Sequence, residues 1–321
     1  MPEQIANPAV VTTIHRGTAA APPEFLFDVV AAVENWPQFF AAAVHAEYLE
    51  AGEGTDVVRR WFLTPDQGRV VVRTSRRHLD RSAMRITLED VEPQAPRAAS
   101  RVEWLFTKSA DGSDVEVRHE LTLSDGTTEE TRAAVLADLE RNAAAQLDAV
   151  LDQGNRRELL DQLVLSFEDP LFVAGRAEDA YEVLNEADKW PERIAHVSQL
   201  TMTEDEPGIQ FFDMETSTPD GVPHSTRSVR VCLPPRLIVY KQIKLPPLLD
   251  AHTGHWRFTR TPEGIIVSAR HTVTIKPSAL GILGEGTTIQ DARNYLRNVL
   301  SANSMKNLQL SKAFAEGRAR A

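Results

Sequence analysis

Hydrophobic and polar residues alternate along most of the chain, and the pattern changes to a helical period only near the end of each half. Between Ala9 and Leu123, alternating segments separated by Gly- and Pro-containing turns predict seven strands. From Thr128 to Gln153, apolar residues recur every three or four positions, which predicts one long helix. The second half repeats this order, with strands between Leu163 and Lys276 and a helix from Thr288 to Glu316. Short helices are expected after the first strand of each half.

Single residues recur in the two halves at matching distances. The repeated pairs are Trp36 and Trp190, Arg77 and Arg230, Trp104 and Trp256, His119 and His271, and Asn142 and Asn303. The first Trp precedes the Arg by 41 and 40 residues, and the second Trp precedes the His by 15 in both halves. A repeat of this length predicts two copies of one domain. We expect the domains at 1–154 and 158–321, joined by a linker at about 153–158 where Gly154 ends the first long helix.

The order of elements predicts the fold class. Each half offers a run of sequential strands and a single long helix to cover them, which is typical of α+β proteins. We expect a curved, seven-stranded antiparallel sheet wrapped around the C-terminal helix, the helix-grip arrangement, with a cavity between sheet and helix.

Composition narrows the possible partners. The chain has 321 residues, 42% hydrophobic and 25% charged, which is typical of folded domains, and its net charge of −11 disfavours nonspecific binding to nucleic acid or anionic membrane. No apolar run is long enough to span a bilayer, and the first residues lack the pattern of a signal peptide. A single cysteine, Cys232, is consistent with a reducing cytoplasm.

The repeated Trp, Arg and His residues are the candidates for chemistry. His119 and His271 share a strand face with apolar residues, so each is either a core histidine or a pocket acid–base group. Arg77 and Arg230 lie on similar faces, where a cation must be paired or must serve a ligand unless the strand faces solvent. The four tryptophans suit core or rim packing as well as substrate contact.

No cofactor or metal motif accompanies these residues. His252 and His255 are three apart on a predicted strand, so they face opposite sides and make a poor metal pair. The glycines at 281–286 lie outside any βαβ unit and do not form a dinucleotide fingerprint. We therefore expect chemistry without a cofactor or a metal.

The repeated motifs resemble those of a known enzyme family. The residues that carry the resemblance are Asn35-Trp36-Pro37 and Lys189-Trp190-Pro191, Ser75-Arg76-Arg77 and Ser228-Val229-Arg230, Trp104 and Trp256. In this order and twice over, they resemble the di-domain aromatase/cyclases of bacterial type II polyketide synthases, which belong to the START-like superfamily.

The resemblance implies a substrate, partners and roles. The substrate would be a ketoreduced poly-β-ketone on the phosphopantetheine arm of an acyl carrier protein, closed by an aldol step between C7 and C12 and then dehydrated to an aromatic ring. The ketosynthase and ketoreductase of the pathway are further expected partners. The developing enolate and alkoxide need a cation, for which Arg230 or Arg77 is the candidate, and proton transfer needs a group that titrates near neutrality, for which His271 or His119 is the candidate. The implied pocket residues are Trp190, Trp256, His224, Tyr240, Asn303, Trp36, Trp104 and Asn142.

One departure from the family changes these expectations. Single-domain relatives carry a pocket tyrosine seven residues after the Trp of the Trp-Pro motif, and here those positions hold Ala43 and Val197. Tyr240 and Tyr48 are the nearby alternatives. The second half also has an insertion at 277–286 that can serve as a lid or rim, and we expect its pocket to carry more of the chemistry. The alternative functions are a noncatalytic carrier of a hydrophobic metabolite or lipid, and a ligand-binding regulator.

Overall fold

Two compact units make up the protein, with the boundary between Glu158 and Leu159. The computed structural model describes residues 10–194, 197–217 and 223–320, and the side chains of residues 216, 217, 223 and 224 lie outside this description. Each unit contains one seven-stranded antiparallel sheet and one long C-terminal helix. The predicted α+β helix-grip class with two tandem copies is therefore confirmed. Among the described helices, none is both long and apolar enough to cross a membrane.

The N-terminal domain is a meander of strands whose first strand returns to pair with the last. The sheet order is β1-β7-β6-β5-β4-β3-β2. The strands are β1 (Val10–Ala19), β2 (Ala43–Glu50), β3 (Thr55–Leu63), β4 (Val70–Asp80), β5 (Arg85–Asp90), β6 (Arg97–Ser109) and β7 (Gly112–Leu123). The helices are α1 (Pro23–Ala31), α2 (Trp36–Phe39) and α3 (Glu129–Asn155), with a 3₁₀ turn at Val33–Asn35.

The C-terminal domain repeats this topology after the short helix α4 (Arg157–Leu163), with the sheet order β8-β14-β13-β12-β11-β10-β9. Its strands are β8 (Val164–Val173), β9 (Val197–Glu206), β10 (Ile209–Ser217), β11 (Pro223–Leu233), β12 (Leu237–Lys244), β13 (Leu249–Thr261) and β14 (Gly264–Ile275). Its helices are α5 (Ala177–Asn185), α6 (Trp190–Arg193) and α7 (Ile289–Arg320), with 3₁₀ segments at Ala187–Lys189 and Pro277–Leu283.

Alternation along the strands places one face of each sheet against its long helix. In the first domain, Val115 and Val117 of β7 join Leu147 and Val150 of α3 in one buried cluster. Burying an aliphatic side chain of this size contributes about 1.5–3 kcal/mol. In the second domain, Leu308 of α7 belongs to one buried cluster with residues of β12–β14. The face covered by the helix is called the inner face below, and it is where the candidate residues lie.

The expected linker is helical. The α3 helix continues through Gly154 to Asn155, Arg156 forms a turn, and α4 starts at Arg157, so only Arg156 of residues 153–158 lies outside a helix. Gly154 is not a C-cap: a Cβ there would lie 2.9 Å from Ala19 and from Leu26. A glycine at this position thus allows α3 to pack closely on the sheet and on α1. This packing requirement, rather than the end of the helix, explains Gly154.

Strand β8 is longer than expected because it lies at the sheet edge. The sequence predicts a strand ending near Glu168, before Pro170. In the structure β8 continues to Val173 and pairs with β14 alone. A proline is tolerated on an edge strand because its missing N–H can face away from the pairing side.

Candidate active site

Arg77 ties the first helix of the N-terminal domain to the sheet. It is 1% exposed. Its Nε and Nη2 atoms donate to the two carboxylate oxygens of Asp56, both at 2.7 Å, and Nη1 donates to the Ala31 carbonyl at 2.8 Å. Ala31 ends α1, where carbonyls lack partners within the helix and favour a nearby cation.

Arg230 performs the same task in the C-terminal domain. It is fully buried, and it donates to the carbonyls of Leu184 at 2.9 Å and Asn185 at 2.8 Å, at the end of α5. Gln210 occupies the position of Asp56 in the strand register and also accepts from Arg230. Since both guanidiniums are bound to the end of a helix, their geometry favours a structural role over the catalytic role expected from the sequence.

The repeated Trp-Pro tryptophans secure the same helix ends. The indole N–H of Trp36 donates to the Val30 carbonyl at 3.1 Å, and that of Trp190 donates to the Val183 carbonyl at 3.3 Å. The Arg230 guanidinium lies 5.6 Å from the Trp190 ring. Both tryptophans are thus buried parts of the helix–sheet junction.

Trp104 and Trp256 lie at equivalent sites on the inner faces of β6 and β13. Each is opposite an isoleucine of the neighbouring strand, Ile86 and Ile238. Trp104 is 1% exposed within the core, whereas Trp256 packs 5.1 Å from the ring of Tyr240 and its Nε1 has no hydrogen-bond partner among the described residues. Of the two, Trp256 therefore borders a polar side chain, Tyr240.

Three titratable side chains meet on the inner face of the C-terminal sheet. The Tyr240 hydroxyl lies 2.7 Å from His271 Nδ1 and 3.3 Å from His252 Nε2, and His252 Nδ1 lies 3.0 Å from Gln242 Oε1. We call these four residues the Tyr240 network. Gly254 provides the space, because a Cβ there would lie 2.4 Å from the Tyr240 hydroxyl. The network brings together Tyr240 and His271, both expected from the sequence, and adds His252.

Hydrogen-bond requirements assign the protons of the network. With Gln242 Oε1 accepting, His252 Nδ1 carries a proton and its Nε2 is an acceptor for the Tyr240 hydroxyl or for His271 Nδ1, each 3.3 Å away. With either donor, His271 Nδ1 carries the proton: it donates to the Tyr240 oxygen in the first case and to His252 in the second. Either arrangement leaves His271 Nε2 with a free lone pair, and the atom has no partner among the described residues although the side chain is buried. His271 Nε2 is thus the basic atom that the network presents.

Burial keeps the network neutral. It lowers the pKa of His271 to about 4 and that of His252 to about 3, and it raises the pKa of the Tyr240 phenol. The negative charge of Asp169 raises the pKa of His271 against this trend. Asp169 is itself fixed by two hydrogen bonds from Arg297, at 2.8 and 3.0 Å. A carboxylate is therefore held where it can stabilise His271 once the imidazole gains a proton.

The N-terminal domain lacks this network. His119 matches His271 in the register, but the positions of Tyr240, His252 and Gly254 hold Leu88, Ser100 and Val102. Burial, with smaller effects of the positive charges of His15 and Arg97, lowers the pKa of His119 to about 4. The two inner faces therefore differ in chemistry despite their common fold.

The other expected site residues are less favourably placed. Asn142 is exposed on α3, where its neighbour Ala143 faces the sheet, so the expectation that Asn142 lines the pocket is wrong. Asn303 is partly buried on α7, whereas Asn307, one turn later, is 9% exposed with its Oδ1 unpartnered among the described residues. His224 lies in β11, and its side chain falls outside the described residues.

Tyr240 supplies a phenol although both positions that carry tyrosine in the single-domain family members lack one. Ala43 and Val197 are buried. The alternative, Tyr48, is 43% exposed and its hydroxyl donates to Glu34 at 3.0 Å, so its phenol lies at the protein surface. Sequence reasoning missed His252 because it weighed that residue only against His255, on the opposite face. The only available signal was the face shared with apolar residues of β13.

The described residues offer neither a metal site nor an unsatisfied surface cleft as a second candidate. The described residues contain no group of three or more His, Cys, Asp or Glu side chains arranged to hold a metal ion. A cleft of about 190 Å³ lies on the outer face of the first sheet, lined by Arg101, Glu103, Arg118 and Glu120. These residues form ion pairs with one another and with Glu89, which satisfies their charges.

Comparison with known proteins gives matches along nearly the whole chain. Residues 19–150 and 173–295 each match the family model described as polyketide cyclase / dehydrase and lipid transport. The chain is 38% identical over 322 residues to the actinorhodin polyketide synthase bifunctional cyclase/dehydratase of Streptomyces coelicolor, covering 97% of this chain and 99% of that protein. It is 35% identical to the granaticin polyketide synthase bifunctional cyclase/dehydratase of Streptomyces violaceoruber, covering 96% and 95%.

Solved structures match both domains together. The di-domain ARO/CYC StfQ from the steffimycin biosynthetic pathway is 52% identical, with a TM-score of 0.85 and coverage of 96% of this chain and 100% of that one. The di-domain ARO/CYC BexL from the BE-7585A pathway is 32% identical, with a TM-score of 0.84 and coverage of 95% and 99%.

Proposed function

The chain belongs to the polyketide cyclase/dehydrase family, and from this premise we propose that it closes and dehydrates the first ring of a poly-β-ketone in a type II polyketide pathway. The similarity to bifunctional cyclase/dehydratases extends over both domains and nearly the full length of those proteins, which supports the same pair of reactions here. The enzyme works on a chain folded between the inner face of a sheet and its long helix.

The Tyr240 network is the observation that carries the proposal. Aldol closure starts with removal of a proton from a carbon between two carbonyls, and His271 Nε2 is an unpartnered base on the inner face. The imidazolium that forms is stabilised by the Asp169 carboxylate and by its Nδ1 hydrogen bond to Tyr240. Such positioned acid–base groups contribute about 10²–10⁴-fold to rate.

One histidine, His271, can transfer the protons of both the aldol step and the dehydration. The enolate carbon attacks a ketone carbon, the carbonyl electron pair moves to oxygen, and the resulting alkoxide takes the proton from His271. In dehydration, His271 removes a second carbon-bound proton as the adjacent C–O bond breaks, and it returns that proton to the departing hydroxyl as water. The other large contribution to the rate comes from holding the flexible chain in one conformer, because the two reacting carbons are then already oriented toward each other.

The finer features of the reaction rest on the family resemblance. We propose that the substrate is ketoreduced, is carried by an acyl carrier protein, and is joined between C7 and C12. The ketosynthase and ketoreductase of the pathway act before this protein. Of the two domains, the C-terminal one carries the acid–base step, because the phenol and the second histidine are found there and not at the matching N-terminal positions.

Reconstitution tests this function. A minimal synthase, its acyl carrier protein and a ketoreductase are incubated with and without the protein, and the products are identified by mass spectrometry and NMR. We expect an aromatic C7–C12 ring only with the protein, and accumulation of unaromatised products with Tyr240→Phe and His271→Gln. A control variant, Tyr48→Phe, changes an exposed phenol and should leave the products unchanged. An unchanged product profile on adding the protein would contradict the assignment.

A carrier function is the second candidate, because the family description includes lipid transport. A carrier needs an apolar lining, and burying polar groups without partners costs free energy. The buried Tyr240 network and the unpartnered His271 Nε2 are therefore better explained by catalysis. Under the carrier alternative, Tyr240→Phe and His271→Gln would bind the substrate at least as tightly and leave product identity unchanged.

A further inference from the structure

The inner face of the N-terminal sheet carries arginines where the C-terminal sheet has neutral residues. Arg60 of β3 lies opposite Arg73 of β4, and the matching pair in the C-terminal domain is Met214 and Thr226. These positions share the inner face with Arg77, since residues two or four apart on a strand point the same way. The duplication has therefore preserved the backbone while placing two extra cations inside one copy only.

Arg60 is buried and only partly satisfied. Its side chain is 10% exposed and lies over the rings of Trp36 and Phe62, at 5.6 and 5.2 Å. It donates to the Ser75 hydroxyl, which donates to Asp90 at 2.8 Å, while Arg60 Nη2 is 3.8 Å from the same carboxylate. Its Nε has no partner among the described residues.

Positive charge exceeds negative charge at this site. Arg97 of β6 joins Arg60 and Arg73 around Asp90, and within the described residues neither Arg73 nor Arg97 has a carboxylate at ion-pair distance. The nearby Asp138 of α3 is paired with Arg141. Burial, together with mutual repulsion, lowers the pKa of Arg60 and of Arg97 to about 10. All three remain charged at neutral pH, so three cations face one carboxylate.

We infer that Arg60, Arg73 and Arg97 form an anion site inside the N-terminal domain, and that its occupant is the enolate of a 1,3-diketone unit of the substrate. A guanidinium offers two parallel N–H groups, and the two oxygens of a 1,3-diketonate match this fork as a carboxylate does. Desolvated cations also stabilise a delocalised oxyanion more strongly than water does. The identity of the occupant rests on the proposed function, whereas the site itself does not.

With this anion site, the two domains perform different chemical tasks. The N-terminal site would hold a 1,3-diketone unit of the chain as its enolate, whereas His271 of the Tyr240 network transfers protons in the C-terminal domain, so the two sites act on the chain in separate binding events. Different tasks in the two domains would explain why the two copies have diverged in their inner-face residues. This difference also limits the expectation that the C-terminal pocket dominates, because each copy then contributes a different group.

Acetylacetone is a simple probe of this site, since its enolate absorbs in the ultraviolet at longer wavelength than its neutral enol. Titrating the full-length protein into acetylacetone at fixed pH should raise the enolate signal with saturation. We expect Arg73→Gln and Arg97→Gln each to weaken this binding about tenfold, since charge-assisted hydrogen bonds are lost. The matched control is Arg76→Gln, which removes an exposed charge from the neighbouring position on β4 and should change nothing.

Inorganic phosphate distinguishes the enolate from the other anion that the substrate carries, the phosphate of the pantetheine arm. We expect phosphate to compete with acetylacetone weakly or not at all. Equal binding of acetylacetone by wild type and Arg73→Gln, an equal loss in Arg76→Gln, or tight binding of phosphate with no enolate signal would each overturn the inference. Tyr240→Phe should bind the probe normally, so this assay fails or succeeds independently of the reconstituted reaction.

Discussion

The two buried arginines offer a decisive test of structure against catalysis. We expect Arg77→Gln to destabilise the N-terminal domain by about 3–5 kcal/mol, because it leaves the Asp56 carboxylate buried without its cation and releases the Ala31 carbonyl. Asp56→Gln should cost less, about 1–2 kcal/mol, since an amide oxygen can still accept from Arg77. The C-terminal domain shows that this arrangement is viable, because there Arg230 donates to Gln210.

Hydrogen exchange resolved by mass spectrometry measures the effect where it is expected. Unfolding of a two-domain chain does not yield a single free energy, so exchange in peptides covering α1 and α2 is the better readout. Exchange there should accelerate in Arg77→Gln and change little in peptides of α7. Product formation per folded molecule should fall far less than with His271→Gln. Normal protection of α1 combined with complete loss of product would refute the structural role and restore Arg77 as a catalytic residue.

Three further predictions concern the Tyr240 network. Folding lowers the pKa of His271 to about 4 and of His252 to about 3 from an ordinary 6.5, so the unfolded chain takes up protons first on acidification. Stability of the C-terminal domain that is present above pH 6.5 should therefore be lost between pH 6.5 and about 4, by about 3 kcal/mol for each histidine. Hydrogen exchange in peptides of β12–β14, expressed as protection relative to the intrinsic rate at each pH, measures this loss, and protection that does not change with pH would contradict it. Gly254→Ala should displace the Tyr240 phenol and abolish aromatisation, since the new Cβ would lie 2.1 Å from the Arg270 carbonyl oxygen and 2.4 Å from the phenol oxygen. The control is Gly281→Ala, whose Cβ would have no atom within 4 Å and which should change neither product formation nor thermal stability. Asp169→Asn should lower the pKa of His271 further, because it removes a negative charge, and should shift the acid limb of the pH–rate profile to lower pH. An unshifted acid limb would show that Asp169 does not influence the catalytic base.

Much of the fold could be predicted from the sequence because its signals are local. Strand alternation and the helical period of the last segment predicted seven strands and one long helix per copy, and the structure has both. Alternation also placed His119 and His271 on the face that packs against the helix. Errors arose where tertiary packing overrides a local rule: Gly154 serves close helix packing, and Pro170 is accepted because β8 is an edge strand.

The candidate site was predictable only in part. The repeated Trp and Arg residues stood out, but repetition could not distinguish a catalytic pair from a structural one, and their bonds to the ends of α1 and α5 favour the latter. The misplacement of Asn142 has a similar origin. In a helix, a shift of one residue rotates the side chain by about 100°, so Ala143 faces the sheet while Asn142 faces outward.

The sequence by itself determined the duplication, the order of elements, the α+β class and the faces of the strands, because each depends on spacing within a short segment. Only the tertiary structure decided which side chains meet. His271 and Tyr240 are 31 residues apart, and His252 lies 19 residues from His271, so their contact depends on strand register. Register also opposes Arg60 to Arg73 in one copy and Met214 to Thr226 in the other. Pairing between strands is a long-range choice, and the chemistry of both inner faces follows from it.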